Sequence, residues 1–215
     1  MLRAASLAGL ALLAATLGCR SMYYGALEKV GIEKRQILAD RIEDGRDAQR
    51  DAEEQFQDAY ERFKTATSFE GGELEATYRA LSDELDESEE RAADVRERIT
   101  EIEQVAADLF VEWEGEIGQI SRADLRSKSR EQLRVTRARF SKLLAAMKRA
   151  ERKMDPVLVA FRDQVLFLKH NLNAHAIASL ETQATAIQSD VDALVRDLSA
   201  SIREADAFLA TLEQD

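Results

Sequence analysis

Leu38-x-x-x-Ile42-x-x-Gly45-x-x-x-Gln49-x-x-Ala52-x-x-x-Phe56-x-x-Ala59-x-x-x-Phe63-x-x-Ala66 steps by four and three residues in strict alternation. A helix turns once every 3.6 residues, so positions spaced this way form one seam along its side. A seam of this length requires a partner helix with the same spacing. The stretch therefore sets the fold class as all-α, an elongated antiparallel coiled-coil-like bundle of long helices.

Downstream, Ser68-Phe69-Glu70-Gly71-Gly72 supplies the consecutive glycines that a helix stop and a chain reversal need. A second seam follows at Leu74, Tyr78, Leu81, Leu85, Ser88, Ala92, Val95, Ile99, Ile102, Ala106, Leu109 and Trp113, with Glu73 and Glu75 in the first turn, where the macrodipole favours acids. Gly115, Gly118 and Ser121 loosen its end, and Ser121 to Asp124 has the spacing of a capping box. The third helix carries Leu133, Thr136, Phe140, Leu143, Met147, Ala150 and Met154. Asp155-Pro156 predicts a kink or a restart, after which Leu158, Phe161, Val165, Leu168 and Leu172 continue the seam. From Leu172 through Ala176, Leu180, Ala184 and Ile187 the steps are mostly fours, a stutter that unwinds a left-handed supercoil. A turn at Asn171 to Asn173 gives four antiparallel helices, the favoured arrangement. A continuous bent helix there gives three.

Composition agrees with helices: one proline and nine glycines leave little turn chemistry in 215 residues. Charge is acidic, with 41 Asp and Glu against 30 Lys and Arg, and aromatic content is 6%. The single cysteine, Cys19, excludes an internal disulfide.

Cys19 ends an N-terminal address. Arg3 precedes an apolar run from Ala4 to Leu17, broken by Ser6, Gly9 and Thr16 and too short to span a hydrocarbon core of roughly 20 helical residues. Residues 1–18 read as an export signal, and 19–215 as one elongated helical domain. Gly18-Cys19 resembles the bacterial lipobox, although Thr16 and Leu17 depart from its usual pattern. That resemblance implies acylation of Cys19, anchorage of the chain to a membrane and a periplasmic location, with the outer membrane favoured because Arg20 stands where aspartate signals retention. Plain secretion is the alternative.

Catalytic patterns are absent from the sequence: it has no phosphate loop, no nucleophile elbow and no Glu-x-x-His pair. His170 and His175 stand five apart, which turns them away from each other on a helix. No residue is therefore assigned to catalysis, to a metal or to a cofactor. Lys169, His170, Asn171, Asn173 and His175 form the densest polar cluster in an apolar neighbourhood. They serve either as turn caps and interhelical hydrogen bonds or as a buried binding network. Charge is also unevenly distributed. Arg122 to Lys153 holds twelve basic residues and three acidic, whereas Glu73 to Glu116 holds sixteen acidic and four basic. Opposite signs on adjacent helices guide pairing and register. Alternatively Arg122, Arg126, Arg130, Arg134 and Arg137 form a stripe for anionic lipid headgroups, glycolipid or an acidic partner.

Tyr23-Tyr24, Glu28-Lys29-Val30-Gly31-Ile32-x-Lys34-Arg35, Leu109-Phe110-x-Glu112-Trp113 and Leu166-x-Leu168-Lys169-His170-Asn171-Leu172-Asn173-Ala174 together resemble the landmarks of the bacterial domain-of-unknown-function 2959 family. The resemblance spans nearly all of the chain after the signal. It implies a helical Gram-negative envelope protein and supplies no activity, substrate or catalytic residue. The expectation is a non-enzymatic membrane-anchored scaffold with an unknown envelope protein partner, no nucleic acid, and a monomeric body.

Overall fold

The computed structural model describes residues 34–67, 74–171 and 174–212, with the backbone alone for 174–179. Four helices account for nearly all of these: α1 (Lys34–Thr67), α2 (Leu74–Gln119), α3 (Ala123–His170) and α4 (Ala174–Leu212). Each helix packs on the next in the chain, and α4 closes the ring against α1.

Interhelical ion pairs give the directions. Lys34 pairs with Glu112, Arg41 with Glu101 and Arg62 with Glu84, so numbers fall along α2 as they rise along α1. Likewise Arg137, Lys148 and Arg162 of α3 meet Glu114, Glu103 and Glu89 of α2. Lys142 and Arg149 reach Glu204 and Asp197 of α4, while Arg46 of α1 reaches Asp206. All four neighbouring pairs are antiparallel.

All nine positions of the opening seam, Leu38 to Ala66, are buried. So are the seam residues of α3 from Leu133 to Leu168. A fully buried leucine, isoleucine or phenylalanine contributes about 1.5 to 3 kcal/mol. Phe56, Leu38, Ile42, Ile102, Leu143, Met147 and Leu168 are among the largest side chains wholly removed from solvent. Phe63 and Phe161 meet from α1 and α3, ring centroids 6.2 Å apart. The small residues Ala52, Ala92 and Ala150 are fully buried too, letting the helices come close between these larger layers.

The second seam departs from expectation near its end. Leu109 and Trp113 are half-buried and pack against the core, as do Leu74 and Tyr78 at the other end of the helix, while Phe110 and Ile117 are more fully buried beside them. The reason is a change of neighbours. Lys34, the first described residue of α1, pairs with Glu112, and Phe140 packs on Phe208 close to the end of α4. Among the described residues, the last two turns of α2 and about the first three turns of α3 therefore extend past both as a tip, at whose base Trp113 still meets Arg35 of α1 while Phe110 packs on Phe140 of α3.

Two helix boundaries differ from the sequence reading and a third agrees with it. Proline at 156 does not restart a helix: α3 runs through it for 48 residues. Pro156, Asp155 and Arg152 are all exposed, so the hydrogen bond that proline removes falls on the water side. The Ser121 to Asp124 capping box does not form. Arg122 is the N-cap, without a side-chain cap bond, and its guanidinium instead binds Asp124 at 3.1 and 2.6 Å. At the other end of α3 the helix stops at His170 and α4 begins at Ala174, which resolves the choice in favour of four helices. Asn171 caps that end, donating its backbone N–H to Leu168 O at 3.1 Å and its side-chain amide to Phe167 O at 2.9 Å. The Gly71-Gly72 turn and the N-terminal segment, Cys19 included, lie outside the described residues.

Candidate functional site

The α2–α3 tip gathers residues from distant parts of the chain. Lys34 Nζ lies 2.6 Å from Glu112, and the Arg35 guanidinium sits 5.3 Å from the centroid of the Trp113 ring. Trp113 Nε1 donates to Ser129 Oγ at 3.2 Å, which ties the ring to α3. Two of the strings noted in the sequence, around Lys34-Arg35 and Glu112-Trp113, thus meet in space.

The five arginines of the stripe have separate fates. Arg122 is occupied by Asp124, whose carboxyl it holds below the usual carboxylate range. Arg126 donates to Ile120 O at 3.3 Å and so fastens the tip turn. Arg134 forms a two-pronged pair with Glu131, lowering the pKa of that carboxyl and raising its own. Only Arg137 crosses to α2, donating to Glu114 Oε2 at 2.8 Å and Phe110 O at 3.1 Å while lying 5.5 Å from the centre of the Phe110 ring. Arg130 has no ion pair or hydrogen bond among the described residues, and the same holds for Lys128 and Arg139.

Pairing between the acidic α2 and the basic α3 therefore holds for Arg137, Lys148 and Arg162, and fails toward the tip. Geometry explains the failure. Lys128 and Arg139 line a shallow 460 Å³ depression formed by α3 alone, with Glu131, Val135 and Thr136, and no carboxylate of α2 belongs to it.

Between α2 and α3 near the tip lies a groove of about 340 Å³ lined by Glu114, Ile117, Gly118, Arg130, Leu133, Arg134 and Arg137. Its floor is apolar, since Ile117 and Leu133 are 3% and 5% exposed. Its rim carries three guanidiniums and one carboxylate. A Cβ added at Gly118 would meet nothing within 4 Å, so this wall is open. Such an arrangement can hold an anionic group over an apolar base. Sequence periodicity pointed to the arginines but not to the groove, because Ile117 lies off the predicted seam.

Residues 23–212 match the family described as "Protein of unknown function (DUF2959)". The chain belongs to this family. Comparison with curated proteins and with solved structures gives no match. The family description assigns no activity, so chemistry must be read from the DUF2959 chain itself.

The second candidate, at the α3–α4 turn, behaves as a helix terminus. Lys169 and His170 are exposed in the last turn of α3, where basic groups suit the helix dipole, and Asn171 is used by the cap. Asn173 and the His175 side chain lie outside the described residues. Among the described residues no cluster of His, Cys, Asp and Glu is placed to hold a metal ion. No helix among them is long and apolar enough to cross a membrane.

A feature the sequence reading did not single out as polar is Gln49. It is wholly buried on the seam of α1, and neither its amide nitrogen nor its oxygen has a hydrogen-bond partner. Ser201 Oγ of α4 is in the same condition. Gln55, by contrast, donates to Glu84 Oε2 at 3.0 Å and joins α1 to α2.

Proposed function

We propose that this DUF2959 protein is a non-enzymatic envelope scaffold, held to a membrane through an acylated Cys19, that carries its helical body out as a rod for a partner protein. The observation that carries the reading is the placement of α1. Its first described residue, Lys34, meets Glu112 near the end of α2, so the chain enters the bundle at the α2–α3 tip end. Cys19 precedes Lys34 by fifteen residues, a stretch that spans at most about 50 Å. Membrane anchorage at Cys19 thus makes this end membrane-proximal and directs the α1–α2 and α3–α4 turns away. With 48 residues, α3 alone is about 72 Å long at about 1.5 Å per residue. Two or more acyl chains give stable anchoring where one gives marginal binding.

Radiolabelled palmitate supplied to cells expressing wild type and Cys19→Ala tests the anchor. Label in the wild type and none in the variant is the expected result, and an unlabelled wild type overturns it. In-cell crosslinking from the far turns then identifies the partner.

A further inference from the structure

We infer that the groove between α2 and α3 at the tip binds the phosphate of an anionic membrane lipid, so that the rod leans on the membrane along its α2–α3 edge. The inference rests on the anchored reading above, which brings this end of the bundle to the lipid surface, and it names the ligand class of that end.

Three observations converge on it. Arg130 faces the groove without a partner, while Arg137 is fixed by Glu114, by Phe110 O and by the Phe110 ring. One guanidinium is therefore free to bind and a second is already oriented, the combination that favours recognition of phosphate oxygens. Next, the floor formed by Ile117 and Leu133 is apolar, which suits the glycerol and upper acyl region beneath a headgroup better than it suits a fully hydrated ion. Finally, Lys128 and Arg139 add unpaired positive charge on the flank of the same helix. Basic residues close to an anionic surface each contribute about 1 kcal/mol of attraction.

Position along the helix determines the posture. Arg130 to Arg137 lie about 10 to 20 Å up α3 from its first residue, beyond the reach of a headgroup layer if the rod stands upright. Lipid phosphate reaches them only when the α2–α3 edge tilts down. Trp113, the one tryptophan of the chain, is tied at this end of the bundle to Ser129, the residue before Arg130, and reports on the tilt.

The test uses the full chain reconstituted with vesicles of brominated lipid, either zwitterionic phosphatidylcholine alone or with phosphatidylglycerol added. Flotation reports anchorage, and quenching of Trp113 fluorescence by the bromines reports the lean. The expected result is flotation on both compositions with quenching on the anionic one only, reversed by 1 M salt, where screening acts within about 3 Å. Arg130→Gln with Arg134→Gln, both exposed positions, should retain the helical spectrum and weaken the leaning state by about 30-fold, from two charges at about 1 kcal/mol each. Flotation on both compositions with equal quenching, or with none, overturns the groove and leaves the anchor standing. Flotation on anionic vesicles alone supports the groove and overturns the anchor. Failure to float on either overturns both. Loss of quenching on adding millimolar inorganic phosphate at constant ionic strength would assign the groove to free phosphate and overturn the lipid assignment.

Discussion

Gly45 of α1 lies so close under Ile102 of α2 that a Cβ on the glycine would stand 2.6 Å from Ile102 Cδ1, with Met147 Cε of α3 3.6 Å away. Glycine costs a helix interior about 1 kcal/mol relative to alanine, and here it is the close approach of three helices that requires it. Gly45→Ala should change stability by less than about 1 kcal/mol, its helix gain offset by displacement of the Ile102 methyl. Gly45→Leu should lose about 1 to 3 kcal/mol through overpacking. Urea unfolding followed by circular dichroism measures both, and a leucine variant as stable as wild type would contradict the contact.

Gln49 gives the opposite expectation. Its amide is fully buried and unpartnered, and an unsatisfied buried polar group costs about 1 to 3 kcal/mol. Gln49→Met keeps length and volume while removing that cost, so the midpoint of urea unfolding should rise. A lower midpoint would mean that the amide is bonded in solution.

Tyr60 makes the bundle sensitive to alkali. Burial pushes its phenol pKa up, Glu61 and Asp192 add to the shift, and Lys64 opposes it. A folded pKa above the unfolded value contributes stability that is complete below about pH 10 and is lost as pH rises through the folded pKa. Wild type should therefore lose stability faster than Tyr60→Phe as pH rises above about 10. Parallel slopes for the two proteins would rule out the contribution.

Lys148 and Glu103, 2.5 Å apart and both partly exposed, join the basic α3 to the acidic α2. Exposed pairs are worth about 0 to 1 kcal/mol, so Lys148→Gln should cost no more than about 1 kcal/mol, and adding Glu103→Gln should cost little more. A double-mutant cycle gives the coupling directly. A loss well above 1 kcal/mol would show that these charges stabilise the bundle as well as align it.

The four seams face one another, and α1 to α4 close into a ring that buries Phe56, Met147, Leu168 and Leu194 together. No seam is left over among the described residues to recruit a second copy. The body without its first nineteen residues should sediment as a monomer at micromolar concentration. A stable dimer there would show that another surface, such as that around exposed Val159 and Leu166, is in use.

Much of this architecture follows from sequence spacing alone. The alternation from Leu38 to Ala66 commits that segment to a helix with one buried side, because only the helical period aligns those positions, and every one of them is buried. The same spacing predicted the buried face of α3, and family membership could be read from short strings. Period, however, reports which side of a helix is covered and not by what. Asn171 ends α3 through hydrogen bonds to the Phe167 and Leu168 carbonyls, a stop that glycine and proline counting does not register. Pro156 remains within a helix because tertiary packing holds it and its missing bond faces water. Toward the tip, Phe110 and Ile117 are buried beside the half-buried Leu109 and Trp113 because Phe110 packs on Phe140 of α3. The groove beside Arg130 is decided there as well. Its arginines lie on one helix and are visible in the sequence, but its floor and the carboxylate at its edge come from another, and only the crossing of α2 with α3 brings them together.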